Sequence, residues 1–304
     1  MTLPDALFSI GDASDSAYRN LRDSAHAEAR EGKAFAERLW RAYYPYADGN
    51  FLTEVRSDFY ARFWEMYLTC TLVLHGEERG YAVSCPKQKK TGGPDILVKH
   101  ANDRIWIEAV TATDGEPGRP DSIVKPRPGQ GYTVPDEKII LRYANAIAEK
   151  HKKYLQYRAK GIVSEKDAYI IAVNGYPLSY RWADAEMPRI LKSVFPLGDV
   201  EVVLDKASTK IVETRHQFRP DIPKATRSPV STRTFLSDDY VGISAVMHSY
   251  ANACMAFPLG VDFVIAHNPQ TTCPVPLGLI PVAREYTAKP HEGGYLLKNI
   301  AEKG

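Results

Sequence analysis

Residues 59–74, FYARFWEMYLTCTLVL, hold only two charged side chains, Arg62 and Glu65. At 100° per residue, Phe59, Phe63, Met66, Cys70 and Leu74 form one face of a helix, and Ala61, Glu65, Leu68 and Leu72 form roughly the opposite one. A helix that is apolar on both faces has to be covered on both. The chain must therefore build layers around this segment, and Glu65 is expected in the interior, where an unpaired charge is very costly. No stretch reaches the ~18 uninterrupted apolar residues that span a bilayer, so no membrane partner is expected. The first twenty residues, MTLPDALFSIGDASDSAYRN, lack a basic start followed by an apolar run, and no secretory signal is read there.

The flanking sequence supplies the rest of the layers. Residues 14–44 are rich in Ala, Glu and Arg and read as one or two surface helices, broken by Pro45 and by Asp48, Gly49 and Asn50. Three short strands are expected next, over 81–85, 95–99 and 104–112, with His100 to Asp103 as a tight hairpin loop. A Pro- and Gly-rich loop runs from Asp114 to about Pro135. A long helix is predicted from Asp136 to about Lys160, with Gly161 as its stop and Ile140, Ala144, Ile147, His151 and Leu155 as its apolar stripe. Ala168–Val173 reads as a fourth strand, 183–194 as a helix, and 200–204, 211–218, 241–249 and 263–267 as extended. The expected class is α/β (α+β). Residues 1–50 form an N-terminal helical extension, and 51–304 form a single elaborated domain with a core at about 55–175 and a β-rich C-terminal elaboration. Cys70, Cys85, Cys254 and Cys273 make no C-x-x-C pair, so no zinc knuckle is expected. Four cysteines are too sparse for a disulfide scaffold, and a reduced, cytoplasmic setting is expected.

Three carboxylates stand out by their settings. Glu65 lies on the buried helix, Asp95 follows Gly92, Gly93 and Pro94 at the start of a strand, and Glu108 lies inside the apolar strand IWIEAV. Side chains of neighbouring hairpin strands converge on one face of the sheet. Acids gathered in an apolar setting repel one another, and a hard divalent cation with oxygen ligands relieves that repulsion. Mg²⁺, or Mn²⁺ in its place, is the expected cofactor, and metal-assisted phosphodiester hydrolysis the expected chemistry.

Pro94 and Asp95, twelve further residues, and then Glu108, Ala109 and Val110 resemble the PD-(D/E)XK nuclease superfamily, which has the restriction-endonuclease-like fold. The predicted order of helix, three strands, helix and strand is similar to that superfamily's αβββαβ core, and the Glu65 helix looks like its first core helix. The resemblance implies that Glu65, Asp95 and Glu108, with the backbone carbonyl of Ala109, hold the metal. It also implies a lysine two residues after the glutamate, where this chain has Val110. Some members supply the lysine from the following helix, and Lys150 is the best substitute here. Arg142 and Lys153 lie further round that helix.

Net charge is +2, so nucleic-acid contact has to come from local clusters. Residues 138–160 hold seven Lys or Arg against one acid, and Lys87, Lys89 and Lys90 precede Gly92. These loop lysines, with Arg142 and Lys153, are the expected phosphate contacts, and Tyr154 and Tyr157 are candidates to stack on bases. Plainer readings stand beside these: Glu65 pairing with a buried Arg, Asp95 as a turn residue, Lys150 as a solvated helix lysine, and the tyrosines as packing residues. Gly242 to Val246 lacks the second glycine of a nucleophile elbow, and His216, His248, His267 and His291 have no ligand spacing. The function expected is that of a metal-dependent nuclease acting on DNA, with a homodimer open. The alternative is a catalytically inactive nucleic-acid-binding or protein-interaction module on the same fold.

Overall fold

The computed structural model describes residues 4–86, 92–184, 187–224, 229–255, 258–291 and 294–301. The apolar helix, α4 (Phe59–Gly76), follows α1 (Ser16–Asp23), α2 (Ala27–Tyr43) and the short α3 (Phe51–Glu54). Asp58 starts it by accepting a hydrogen bond from the Ala61 N–H, which satisfies one of the free donors of the first turn. One side of α4 packs on α2, with the Phe35 and Phe63 rings 6.3 Å apart. The other side lies on a sheet, where Trp64 Nε1 donates to the Ala172 carbonyl at 3.0 Å. Both faces are covered as the composition requires, and only the C-terminal turn escapes: Leu74 is 62% exposed, outside the expected apolar face.

The sheet has eight strands. Strands β1 (Tyr81–Ser84), β2 (Ile96–His100) and β3 (Asp103–Thr111) form an antiparallel meander. Helix α5 (Asp136–Ala159) then crosses over to β4 (Ala168–Asn174), parallel to β3. Beyond β4 come β9 (Ala245–Ser249), β10 (Val264–His267), β11 (Arg284–His291) and β12 (Gly294–Asn299), in that spatial order. Alternation along β3 sends Ile105 and Ile107 into the core beneath α4, and Trp106 into a second core beneath α5. The result is a three-layer α/β/α arrangement with both faces of the central strands covered, and every residue of β4 is buried.

Between β4 and β9 the chain forms α6 (Arg189–Lys192), a ribbon of β5 (Leu197–Leu204) and β6 (Ile211–Phe218), and a two-residue pairing of β7 (Asp221–Ile222) with β8 (Val230–Ser231). Several expectations change here. The helix expected over 183–194 shrinks to α6, because Pro188 can begin a helix but cannot sit inside one. The strand expected from Val241 starts only at Ala245, after a 3₁₀ turn at Asp238–Tyr240. Strands β11 and β12 were not predicted; REYTAKPH alternates poorly and carries Pro290. On α5, Leu155 is 51% exposed and Tyr154 is buried in its place, so the apolar stripe drifts by one residue at the C-terminal end. Among the described residues no helix is long and apolar enough to cross a membrane.

These burial differences predict a stability contrast. Ile170, fully buried at the centre of the sheet, should lose about 2–5 kcal/mol on change to Ala. Leu155→Ala should stay within about 0.5 kcal/mol in urea melts of the same protein.

Candidate functional site

Pairing of Ile96 with Ile107 fixes the register of β2 on β3, and continuing it by one residue sets Asp95 across from Glu108. Gly92 and Gly93 take φ of +69° and +148°, so the backbone turns there in a way a side chain would resist before Pro94 delivers Asp95 to the strand. Leu97 and Trp106, which share the strand faces of Asp95 and Glu108, belong to the core beneath α5. Glu108 therefore faces α5, while Asp95 stands at the bend before β2, where its charge is felt both by Tyr169 beneath α5 and by Tyr43 on the α4 side. Both are buried, Asp95 at 6% exposure and Glu108 at 1%. Asp95 Oδ2 accepts the Ala109 N–H at 2.7 Å, which ties the start of β2 to the middle of β3.

Two lysines from α5 reach the same carboxylate oxygen. Lys150 Nζ lies 2.7 Å from Glu108 Oε1, and Lys153 Nζ lies 3.4 Å from it. The spacing of three residues puts both on one helix face. Lys150 is nearly buried, whereas Lys153 is 52% exposed. The expectation that Lys153 lies away from the site is thereby corrected: it shares Glu108 with Lys150. Glu108 Oε2 is buried and has no hydrogen-bond partner among the described residues. Burial pushes the Glu108 carboxyl above its ordinary range and the nearby Asp95 charge adds to this, while Lys150 and Lys153 oppose it. The Tyr169 hydroxyl, also buried without a hydrogen-bond partner, feels the charges of both Glu108 and Asp95.

Glu65 is held separately. Tyr43 donates its hydroxyl to Oε1 at 2.9 Å, and Arg62 Nη1 donates to Oε2 at 2.7 Å. Arg62 also reaches Glu54 and Asp48. Burial, then the Glu65 charge, raises the Tyr43 phenol, and Asp95 contributes more weakly, so the Glu65 group adjoins Asp95 electrostatically. The pairing of Glu65 with an arginine is the plainer of the two readings given above. Among the described residues no three His, Cys, Asp or Glu are grouped so as to hold a metal ion.

The remaining candidates are placed as follows. Val110 sits two residues beyond Glu108 on the same strand face and packs against the apolar core beneath α5. Arg142 Nε donates to the Thr113 carbonyl at 2.6 Å, and its guanidinium lies under Gly115, so it pins the loop after β3. Tyr154 is buried edge-on against Tyr169, with ring centroids 4.9 Å apart, and is a packing residue with no face free for a base. Lys87, Lys89 and Lys90 lie outside the described residues. His248 is buried with Nε2 3.0 Å from the Tyr143 hydroxyl, and burial pushes its imidazole down to about 3. His267 is paired with Glu285 at 2.8 Å.

Sequence reasoning missed Tyr43, Tyr169 and the reach of Lys153. The i, i+3 spacing of Lys150 and Lys153 was a usable signal, as was that of Arg62 and Glu65. Nothing in the sequence marks Tyr43 or Tyr169 among the 18 tyrosines. No protein-family profile, curated protein or solved structure matches this chain.

The raised Glu108 carboxyl fixes a sign. Because the folded state holds the proton more tightly than the unfolded chain, native stability falls as pH rises from the ordinary value of 4.5 toward the folded one. With chelator present, the ¹³C carboxyl signal of Glu108 should titrate above other glutamates, and Lys150→Ala should move it higher still. A midpoint at or below 4.5 contradicts the geometry.

Proposed function

We propose that the chain is a metal-dependent nuclease that hydrolyses phosphodiester bonds in DNA, on a restriction-endonuclease-like core made of α4, β1 to β3, α5 and β4. One observation carries the reading: Lys150 reaches Glu108 from the crossover helix, with the Asp95 charge close by, while Val110 occupies the strand position of the superfamily's lysine. The strand order β1-β2-β3-β4, with the first three antiparallel and the fourth parallel to the third, supports the same assignment.

The fit to a divalent cation rests on Glu108 Oε2, a buried acceptor with no hydrogen-bond partner among the described residues, beside a second carboxylate. Asp95, Glu108 and the Ala109 carbonyl would hold Mg²⁺ or Mn²⁺, and one or two protein carboxylates are the usual share for Mg²⁺. Glu65 belongs to the expected ligand set as well; here each of its oxygens accepts one hydrogen bond, from Tyr43 and from Arg62. When bound, the metal polarises the phosphate and lowers the pKa of a coordinated water. The chain's own residues do the rest. Lys150, fixed against Glu108 and largely shielded from solvent, supplies a preorganised positive charge where charge builds on the phosphate, which is usually the largest catalytic contribution. Lys153, half exposed beside it, would meet the incoming phosphate backbone.

Glu108 is already neutralised by two lysines, which favours the second reading, a nucleic-acid-binding module without activity. Cleavage assays separate the two. Wild type should cut DNA with Mg²⁺ or Mn²⁺ and stop on addition of chelator. Asp95→Asn and Lys150→Met should each lower the rate by ~10²–10³, the scale for loss of one preorganised electrostatic group. Lys153→Ala should mainly raise KM and make binding less dependent on salt, by about one unit of slope per lost phosphate contact. Thermal melts of each variant check the fold. Binding without cleavage by wild type, or equal rates for wild type and Lys150→Met, would give the site to the second reading.

A further inference from the structure

The chain leaves β4 at Asn174 and crosses the end of the sheet, carrying a row of rings with it. Tyr176 packs on Tyr60 of α4, with ring centroids 5.4 Å apart. Four residues on, Tyr180 belongs to the core beneath α5, so the segment passes from one layer to the other. The Arg181 guanidinium lies 4.2 Å from the Tyr176 ring and 5.6 Å from that of Trp182. Trp182 leans on Tyr180 at 6.0 Å, and Tyr132, from the long loop after β3, stands edge-on to Tyr180 at 5.0 Å. Tyr180 takes φ of +63°, a conformation that side chains rarely adopt and that collects at ligand-binding sites. Trp182 is 58% exposed and Tyr132 51%, so large rings are braced here and left uncovered.

The charge around these rings is positive. Residues 123–132 leave and return to one place: the Ile123 N–H donates to the Asp114 carbonyl, the Asp114 carboxylate takes the Ser179 N–H and hydroxyl, and Tyr132 comes back against Tyr180. This excursion and residues 176–183 hold three cations, Lys125, Arg127 and Arg181, and no acid. None of the three is in an ion pair among the described residues. The bordering acids are engaged: Asp114 with Ser179, Glu116 with Arg119, and Asp184 with Arg189 and Tyr250. Asp121 has an interaction of its own, and Asp15 and Asp58, beside the Tyr60 end, accept the Tyr18, Phe59 and Ala61 N–H groups. We propose that this surface binds the unpaired bases of a nucleic-acid strand, which stack on Trp182 and Tyr132 while Lys125, Arg127 and Arg181 meet the phosphates. Rings beside cations are the usual means of holding a single strand, since every base has a face to stack. A duplex keeps its bases stacked on one another and offers mainly phosphates here. Acyl chains would call for aliphatic side chains, and of the Ile, Leu and Val in these two segments only Val124 is exposed. Asn174 lies three residues past Ile171, the partner of Glu108, so the rings begin roughly 10 Å along the strand from that carboxylate. The inference rests on the nucleic-acid part of the proposed function and not on cleavage.

Trp182 is its own reporter, because Trp40, Trp64 and Trp106 are at most 3% exposed. The test titrates the full chain, in chelator, with a mixed-sequence DNA single strand and with an abasic strand of the same length, following tryptophan emission and the anisotropy of a labelled strand. The base-bearing strand should quench the emission and bind more tightly than the abasic one. Trp182→Ala should weaken binding of the base-bearing strand by about 5–150-fold, the range for one lost stack, with an unchanged melting temperature. Trp182→Phe, which keeps a ring, should retain most of the affinity. Arg127→Ala should lower the salt slope by about 0.7, the share of one phosphate contact on a single strand. Equal affinity for the two strands, or a Trp182→Ala variant that binds as wild type does, overturns the proposal. Quenching by anionic vesicles with no strand bound also overturns it and gives the surface to a membrane. Mg²⁺-dependent cleavage of duplex DNA by a wild type that fails these tests leaves the nuclease reading standing, whereas base stacking without cleavage supports this inference and retires that activity.

Discussion

The rest of the site depends on the cost of keeping Glu108 inside the sheet. Its carboxylate sits between β2 and β4 at 1% exposure, and an isolated charge there would be neutralised by protonation. The chain answers with Lys150 and Lys153 from α5, which bind one oxygen and leave the other without a hydrogen-bond partner among the described residues. Removing one member of a buried pair commonly costs about 3–5 kcal/mol, because the other charge is stranded. The second lysine, itself half exposed, limits that penalty. A buried carboxylate that is compensated yet incompletely bonded contributes less to stability than one with both oxygens satisfied.

Other buried acids show the contrast. Glu65 has both oxygens engaged, and Glu285 accepts from His267 and from the Gly278 N–H. Asp167 takes the Trp106 indole N–H and the Ser164 N–H. These are closed arrangements in which a charge is satisfied by the fold around it. Glu108 differs because the Asp95 charge beside it raises its carboxyl further, a relation that structural pairs of opposite sign do not have.

What could be read from the sequence was set by periodicity. The helix at 59–76, the meander, the crossover helix and β4 all rest on strong local patterns, and the opposition of Asp95 and Glu108 follows from a two-residue hairpin connection. Lys150 was reachable because helical spacing placed it beside the Ile147 stripe. The partners of Glu65 were half legible: Arg62 lies one turn away, whereas Tyr43 comes from α2, twenty-two residues earlier, and is brought in by packing alone. Strands β11 and β12 escaped because β11 pairs in parallel with β10 for only three residues and then leans on β12, so its alternation carries little burial signal.

The C-terminal half is more than an elaboration on a finished core. Without β9, strand β4 would be the edge of the sheet, with a row of unpaired backbone groups along an apolar strand. Pairing of Ile170 through Asn174 with Ala245 through Ser249 removes that edge. It also places β4, and with it the floor under Glu108, in the middle of an eight-stranded sheet. Further anchors come from the same region: the Ser244 hydroxyl accepts the Tyr169 N–H at 2.9 Å, and Asn268 holds the Tyr240 and Ile243 carbonyls at the turn before β9. Tyr169 is the residue whose hydroxyl feels the Glu108 charge, and its backbone N–H is anchored to Ser244, 75 residues further along the chain. The low dielectric that makes Glu108 expensive, and Lys150 effective beside it, is thus supplied jointly by both halves of the chain.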